Sequence, residues 1–196
     1  MRALIRELIE TVILALLIFM TLQFSVQNFR VEGPSMTPTV EDGQYLLVNK
    51  AVYFHLNPAD VKRWLPFIDV DDDDNLFPFH QPRRGEIVVF KFPRDESRDF
   101  IKRVIGVPGD TVEVRDGQVF IDGEPVDEPY IKKPDEANMD PFVVPPGEYF
   151  VMGDNRRSSN DSRDWGSVPE KNIIGRAWVS YWPLDAWRSL QAFGGH

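Results

Sequence analysis

Nucleophilic catalysis takes a hydroxyl or thiol, a base to accept its proton, and donors for the oxyanion that forms in the transition state. The chain offers few ways to assemble them. It has no cysteine and three histidines, His55, His80 and His196, the last of them the terminal residue. Neither the GxSxG elbow of serine hydrolases nor the HExxH helix of zinc proteases occurs anywhere. Lysine is the remaining base of suitable reach, and it accepts a proton only when burial or apolar neighbours pull its pKa well below about 10.4. In the run FIKRVIG from Phe100, strand alternation puts Lys102 on one face with Phe100 and Val104, and Arg103 on the other with Ile101 and Ile105. A guanidinium cannot be deprotonated in a protein whereas a desolvated ammonium can, so Lys102 is the candidate base. These residues alone leave open the alternative of a surface lysine lying over a sheet edge.

A second constellation is acidic. Asp69, Asp71, Asp73 and Asn75 fall at alternate positions, as in a calcium loop. The sixth position of such a loop would be Asp74 instead of glycine and the twelfth His80 instead of glutamate, so the EF-hand pattern fails. Irregular cation binding with His55 or His80 is the alternative to a solvated charged loop, which is the usual state of such a run. No metal, nucleotide or organic cofactor is implied.

The elements that would have to position Lys102 are short. Runs rich in β-branched and aromatic residues, such as YLLVNKAVYF from Tyr45, EIVVFKF from Glu86 and FIKRVIGV from Phe100, are separated by Gly and Pro. TVEV, QVFI, EYFVM and RAWVSYW follow. Asp116-Gly117 between two of these runs predicts the type I′ turn of a tight hairpin. No long amphipathic helix stands between Phe54 and the C-terminus, and the pattern predicts a mainly β, antiparallel domain. Residues 55–82 interrupt it and read as an acidic inserted loop.

Ahead of this domain, residues 8–26 (LIETVILALLIFMTLQFSV) would span roughly 28 Å as helix, close to the thickness of a bilayer core. We read residues 1–26 as a cytoplasmic N-terminus and one transmembrane helix, and 27–196 as the extracytoplasmic domain. Arg2 and Arg6 precede the span and only Arg30 closely follows it, which places the N-terminus in the cytoplasm. No pair of small residues spaced like a cleavage site follows the apolar run, so retention is expected over removal. A net charge of -9 lacks the basic footprint of a nucleic-acid binder.

Three segments taken in order carry a resemblance: VEGPSMTPT from Val31, FIKRVIGVPGD from Phe100, and GDNRRSSNDSRDWGSVP from Gly153. They resemble the nucleophile, lysine and C-terminal boxes of the type I signal peptidases, and RGEIVVF from Arg84 looks like the strand that precedes the family's lysine. The resemblance covers most of the chain after Val31 apart from the insertion. It implies a membrane-bound serine endopeptidase of antiparallel β fold that removes leader peptides from exported preproteins, working in the cell membrane near the export translocon. Ser35 is then the nucleophile, and Lys102 the base that takes its proton and returns it to the leaving amine. By the same resemblance Ser159 orients the lysine, Asp161 and Arg163 form a supporting ion pair, and Gly153, Asp154 and Asn155 form a turn beneath the catalytic residues. Gly33 stands where some members of the family have a serine that helps the oxyanion hole, which leaves the backbone N–H of Ser35 as main donor. Small residues at the first and third positions before the cut are the implied substrate preference.

Ser35 lies nine residues past Val26, so an extended connection keeps it within about 30 Å of the helix end. Phe29, Met36, Tyr181, Trp182 and Trp187 are candidates for the membrane interface, with burial in the core the alternative for the C-terminal three. Related readings are a pilin-type processing peptidase, a self-cleaving repressor with the same dyad, and a silent membrane-anchored binding protein. The anchor and the absence of a DNA-binding segment oppose the repressor, and intact Ser35, Lys102 and Ser159 oppose the silent protein.

Overall fold

The computed structural model describes residues 2–53, 80–133, 135–190 and 192. A helix α1 (Arg2–Ser25) runs directly into strand β1 (Val26–Arg30), followed by β2 (Tyr45–Asn49), β3 (Ile87–Phe92), β4 (Asp95–Gly106), β5 (Thr111–Arg115), β6 (Gln118–Ile121), β7 (Glu124–Pro125), β8 (Met139–Val143) and β9 (Glu148–Met152). A four-residue helix α2 (Ser162–Trp165) precedes β10 (Val168–Pro169), β11 (Ile173–Trp182) and β12 (Arg188–Ser189). One sheet runs in the order β1-β2-β11-β3-β4-β9-β10, with β12 paired to β11, and a second runs β7-β6-β5-β8. Every ladder is antiparallel, so the domain is mainly β.

Where β4 and β9 pair in the large sheet, both of their faces are covered. Val104, Tyr149 and Val151 pack with Phe90, Trp165 and Val168 on one side. Ile105, Phe150 and Met152 pack on the other against Val112, Val114, Val119 and Ile121 of the small sheet. A third core gathers Met36, Val40, Leu46, Ile87 and Ala177 beneath the β1–β2 connection. A strand covered on both sides reads as a continuous apolar run, which is why β3 and β9 lack the alternation of a half-exposed strand. At Asp116-Gly117 both residues have positive φ, 47° and 77°, and Arg115 pairs with Gln118 across the turn, the backbone that a two-residue type I′ hairpin requires.

The N-terminal expectation is met by a helix in the right place, but not by a demonstrated span. Among the described residues no helix is long and apolar enough to cross a membrane. Side chains of α1 are described continuously over residues 5–20, about 24 Å of helix against a hydrocarbon core of about 30 Å, and Glu7, Glu10 and Thr11 lie within that stretch. The helix also ends at Ser25, and Val26 opens β1. Every described side chain between Ile5 and Met20 is exposed. Of the inserted loop, residues 54–79 lie outside the described residues, and with them His55 and the alternating acidic positions 69–75.

Candidate active site

The turn that carries Ser35 is clamped at its base, where Val31 N–H donates to the Gln44 carbonyl at 2.8 Å and Gly43 N–H to the Val31 carbonyl at 2.9 Å. Gly33 has φ +86° and donates its N–H to Asp42 Oδ1 at 2.8 Å, a left-handed backbone that side chains with a Cβ rarely adopt. Met36 and Val40 are fully buried beneath the turn, while Ser35, between Pro34 and Met36, stays half-buried. From the opposite side Asn155 N–H donates to the Ser35 carbonyl at 3.0 Å and Asn155 Nδ2 to the Pro34 carbonyl at 3.1 Å. Among the described residues the N–H of Ser35 itself has no intramolecular acceptor.

Lys102 reaches this turn from the inner part of β4. It is 4% exposed. Its Nζ lies 2.8 Å from Ser35 Oγ and donates to the Ile101 carbonyl at 2.9 Å, with the Phe100 ring centroid 5.4 Å away. Burial disfavours the ammonium and lowers the pKa to about 8, against the opposing pull of the Asp161 and Asp154 carboxylates. Arginines hold both carboxylates. Arg103 Nε and Nη2 bond the two oxygens of Asp154 at 2.8 and 2.7 Å, and Arg163 Nε approaches Asp161 Oδ1 at 2.8 Å.

Asp161 is fully buried and also caps α2, accepting from Arg163 N–H at 3.3 Å, while its Oδ2 accepts from Gly153 N–H at 3.0 Å. The capping box closes when Asp161 N–H donates to Asp164. The structure thus brings Ser35, Lys102, Asp161 and Arg163 into one locale. Ser159 makes no hydrogen bond to the lysine. Its Oγ is buried beside Gly153 with no hydrogen-bond partner.

Asp154, Asn155 and Arg103 do more than their sequence context indicated. Arg103 stands on an apolar face, and a buried guanidinium requires an opposite charge. That requirement was the signal in the sequence that could have led to Asp154. Gly153 has no room for a side chain, since a Cβ there would collide with Ser159 and come within 2.5 Å of the Ser35 carbonyl oxygen. Gly153→Ala is therefore expected to cost about 1–3 kcal/mol of stability and, by displacing Ser35, to lower kcat by roughly tenfold or more in a cleavage assay with folded variant.

Ser35 and Lys102 open into a groove of about 550 Å³, walled on its apolar side by Phe29, Val31, Leu46, Val89 and Ile101. Among the described residues no group of three or more metal-ligating side chains converges. His80 stands apart from the groove, with Nε2 3.9 Å from the buried Glu86 carboxylate.

Residues 5–182 match the family described as Signal peptidase, peptidase S26. The chain is 39% identical over 197 residues to the probable signal peptidase I-1 of Synechocystis sp., covering 96% of this chain and 88% of that protein. It is 32% identical over 212 residues to the signal peptidase I of Pseudomonas aeruginosa, covering 87% and 70%. A solved signal peptidase I from Enterococcus faecalis shares 35% identity at a TM-score of 0.44, covering 50% of this chain and 97% of that one.

Proposed function

Because the chain belongs to the signal peptidase family, peptidase S26, and is a serine endopeptidase, we propose that it removes signal peptides from exported preproteins with Ser35 as nucleophile and Lys102 as general base. The observation that carries the dyad is the 2.8 Å approach of Ser35 Oγ to Lys102 Nζ, a lysine whose pKa burial lowers to about 8. As Oγ attacks the scissile carbonyl, neutral Lys102 takes its proton. The resulting ammonium gives that proton to the leaving amine, and Lys102 then activates the water that hydrolyses the acyl-enzyme. The uncommitted N–H of Ser35 is the donor that meets the oxyanion, and Gly33 adds no side-chain donor. Ser159 orients Lys102 once its unpartnered hydroxyl engages Nζ, and the Asp161–Arg163 pair supports the floor of the site.

The family resemblance implies small side chains at the first and third positions before the cut, and the apolar wall beside the dyad is the surface proposed to receive them. Membrane attachment is the second part of the proposal. It is supported by the exposure of α1 and of Trp178, Trp182, Leu184 and Trp187, apolar surface that water disfavours and an interface accepts. Arg2 and Arg6 ahead of the apolar run favour a cytoplasmic N-terminus with the catalytic domain on the other side.

The test is cleavage by the purified full chain in detergent of a preprotein with small residues at both positions, measured against pH. A general base acts when deprotonated, so kcat/KM is expected to rise with pH along a limb centred near 8. A limb near the value of an exposed amine, about 10.4, would contradict a desolvated Lys102, and equal cleavage of a substrate with large residues there would contradict the specificity.

A further inference from the structure

The connection between β7 and β8 belongs to the small sheet, yet its side chains end on the arginines of the catalytic centre. Tyr130, 9% exposed, lies against the Arg103 guanidinium, 3.9 Å from ring centroid to Cζ. Its hydroxyl donates to Glu128 at 2.6 Å. Glu128 pairs with Arg156, whose Nε donates to the Gly153 carbonyl at 3.2 Å. Asp135 accepts from Arg163 Nη1 at 2.6 Å, while the same guanidinium holds Asp161. Each arginine thus stands between this connection and a group that flanks the dyad: Arg103 on Asp154, Arg163 on Asp161, and Arg156 on the Gly153 carbonyl. Gly153 in turn abuts Ser35, and Asn155 two residues on holds the Ser35 and Pro34 carbonyls.

We propose that Glu128, Tyr130 and Asp135 are positioning residues of the peptidase, which hold these arginines and through them fix both the turn that grips Ser35 and the electric field at Lys102. This rests on the dyad reading given above. The charge arrangement supports the field: three arginines and Lys102 are interleaved with the four carboxylates of Glu128, Asp135, Asp154 and Asp161. Other charged residues that line the groove with Lys102 are Arg98 and Asp99 on its own strand, and Arg30 and Glu32. Removing the negative charge of Asp135 leaves Arg163 more positive toward the site, so the ammonium of Lys102 is less favoured and the lysine deprotonates at lower pH.

The experiment measures kcat and KM against pH for Asp135→Asn, Asp135→Glu, Tyr130→Phe and Lys102→Met in the full chain in detergent, each checked for folding by circular dichroism and melting. Asp135→Asn is expected to move the ascending limb of kcat/KM down by roughly half a pH unit and to lower kcat about tenfold with KM held within about twofold. Asp135→Glu is expected to restore both, and Tyr130→Phe to lower kcat without moving the limb, since no charge changes. If Asp135→Asn does not fold, Glu128→Gln removes a charge from the same cluster and is read for the same shift. A folded Asp135→Asn or Glu128→Gln with an unmoved limb, its activity falling only with its folded fraction, overturns the proposal. Lys102→Met separates the two readings: a limb that persists there refutes the dyad itself, whereas its disappearance together with an unmoved limb in Asp135→Asn refutes only the positioning role.

Discussion

Replacing Lys102 with methionine is expected to abolish cleavage while leaving a more stable protein. The loss in kcat should be about 10⁴-fold or greater, because neither activation of the serine nor protonation of the leaving amine has a substitute among the neighbouring side chains. Ser35→Ala should lose as much, and the double variant no more than either single one, since the two act as a unit. The stability gain has a separate origin. Lys102 is 4% exposed with its pKa lowered from 10.5 to about 8, so at neutral pH the folded domain carries a desolvated ammonium that the unfolded chain would hydrate. Methionine removes that penalty and forfeits the hydrogen bonds to Ser35 and Ile101, for a net gain of about 1–3 kcal/mol at pH 7 in urea denaturation. The sign reverses the familiar case of a lysine stabilised by a partner. Between pH 8 and 10.5 the unfolded chain binds more protons than the folded one, so wild-type stability rises across this window and the advantage of methionine shrinks. An unchanged or lower stability at pH 7 would mean that the ammonium is not desolvated.

Asp154→Ala should be the most damaging substitution to the fold near the site. Side-chain exposure of Arg103 and Asp154 is 0% and 1%, and removing the carboxylate takes the counter-charge from a guanidinium whose other partners include the Gly85 carbonyl at 2.7 Å and Thr39 Oγ1 at 3.5 Å. Breaking a buried pair in this way is expected to cost up to about 3–5 kcal/mol, which for a chain of this size lowers the melting temperature by about 10 °C. Activity should fall beyond the folded fraction, because Asn155, the next residue, holds the Ser35 carbonyl. Replacing both partners, Arg103→Leu with Asp154→Leu, is expected to recover much of the stability without recovering the rate. If the double variant melts as low as the single one, the loss comes from packing and not from the stranded charge.

How much of this was legible in the sequence depended on how local the cause was. The hairpin at Asp116-Gly117 follows from two residues that tolerate positive φ, and the apolar runs of β3, β4 and β9 announce themselves as strands. β1 was hidden in the tail of the apolar helix, and β8 by Pro141, a residue that ordinarily demotes a run from strand. Strand alternation separated Lys102 from Arg103 but could not say that both are buried, since it assigns faces without saying what covers them. The buried hydroxyl of Ser159 has no partner, although the family pattern assigns it to the lysine. An unfilled acceptor depends on side-chain placement that no spacing rule encodes.

By itself the sequence determined the inventory: no cysteine, no histidine in a recognised catalytic motif, a lysine in an apolar strand, three ordered motifs, and an apolar helix ahead of a β domain. The tertiary structure decided which of these meet. Ser35 and Lys102 are 67 residues apart in the chain and 2.8 Å apart in space, and Arg103 and Asp154 are 51 apart and bidentate. Such pairs form because burial on both faces of β4 withdraws its charges from water and forces each to find a partner or give up its proton. Arg103 cannot give up its proton and so takes Asp154. Lys102 can, and that difference leaves one buried cation fixed to a carboxylate and its neighbour free to act as the base proposed above.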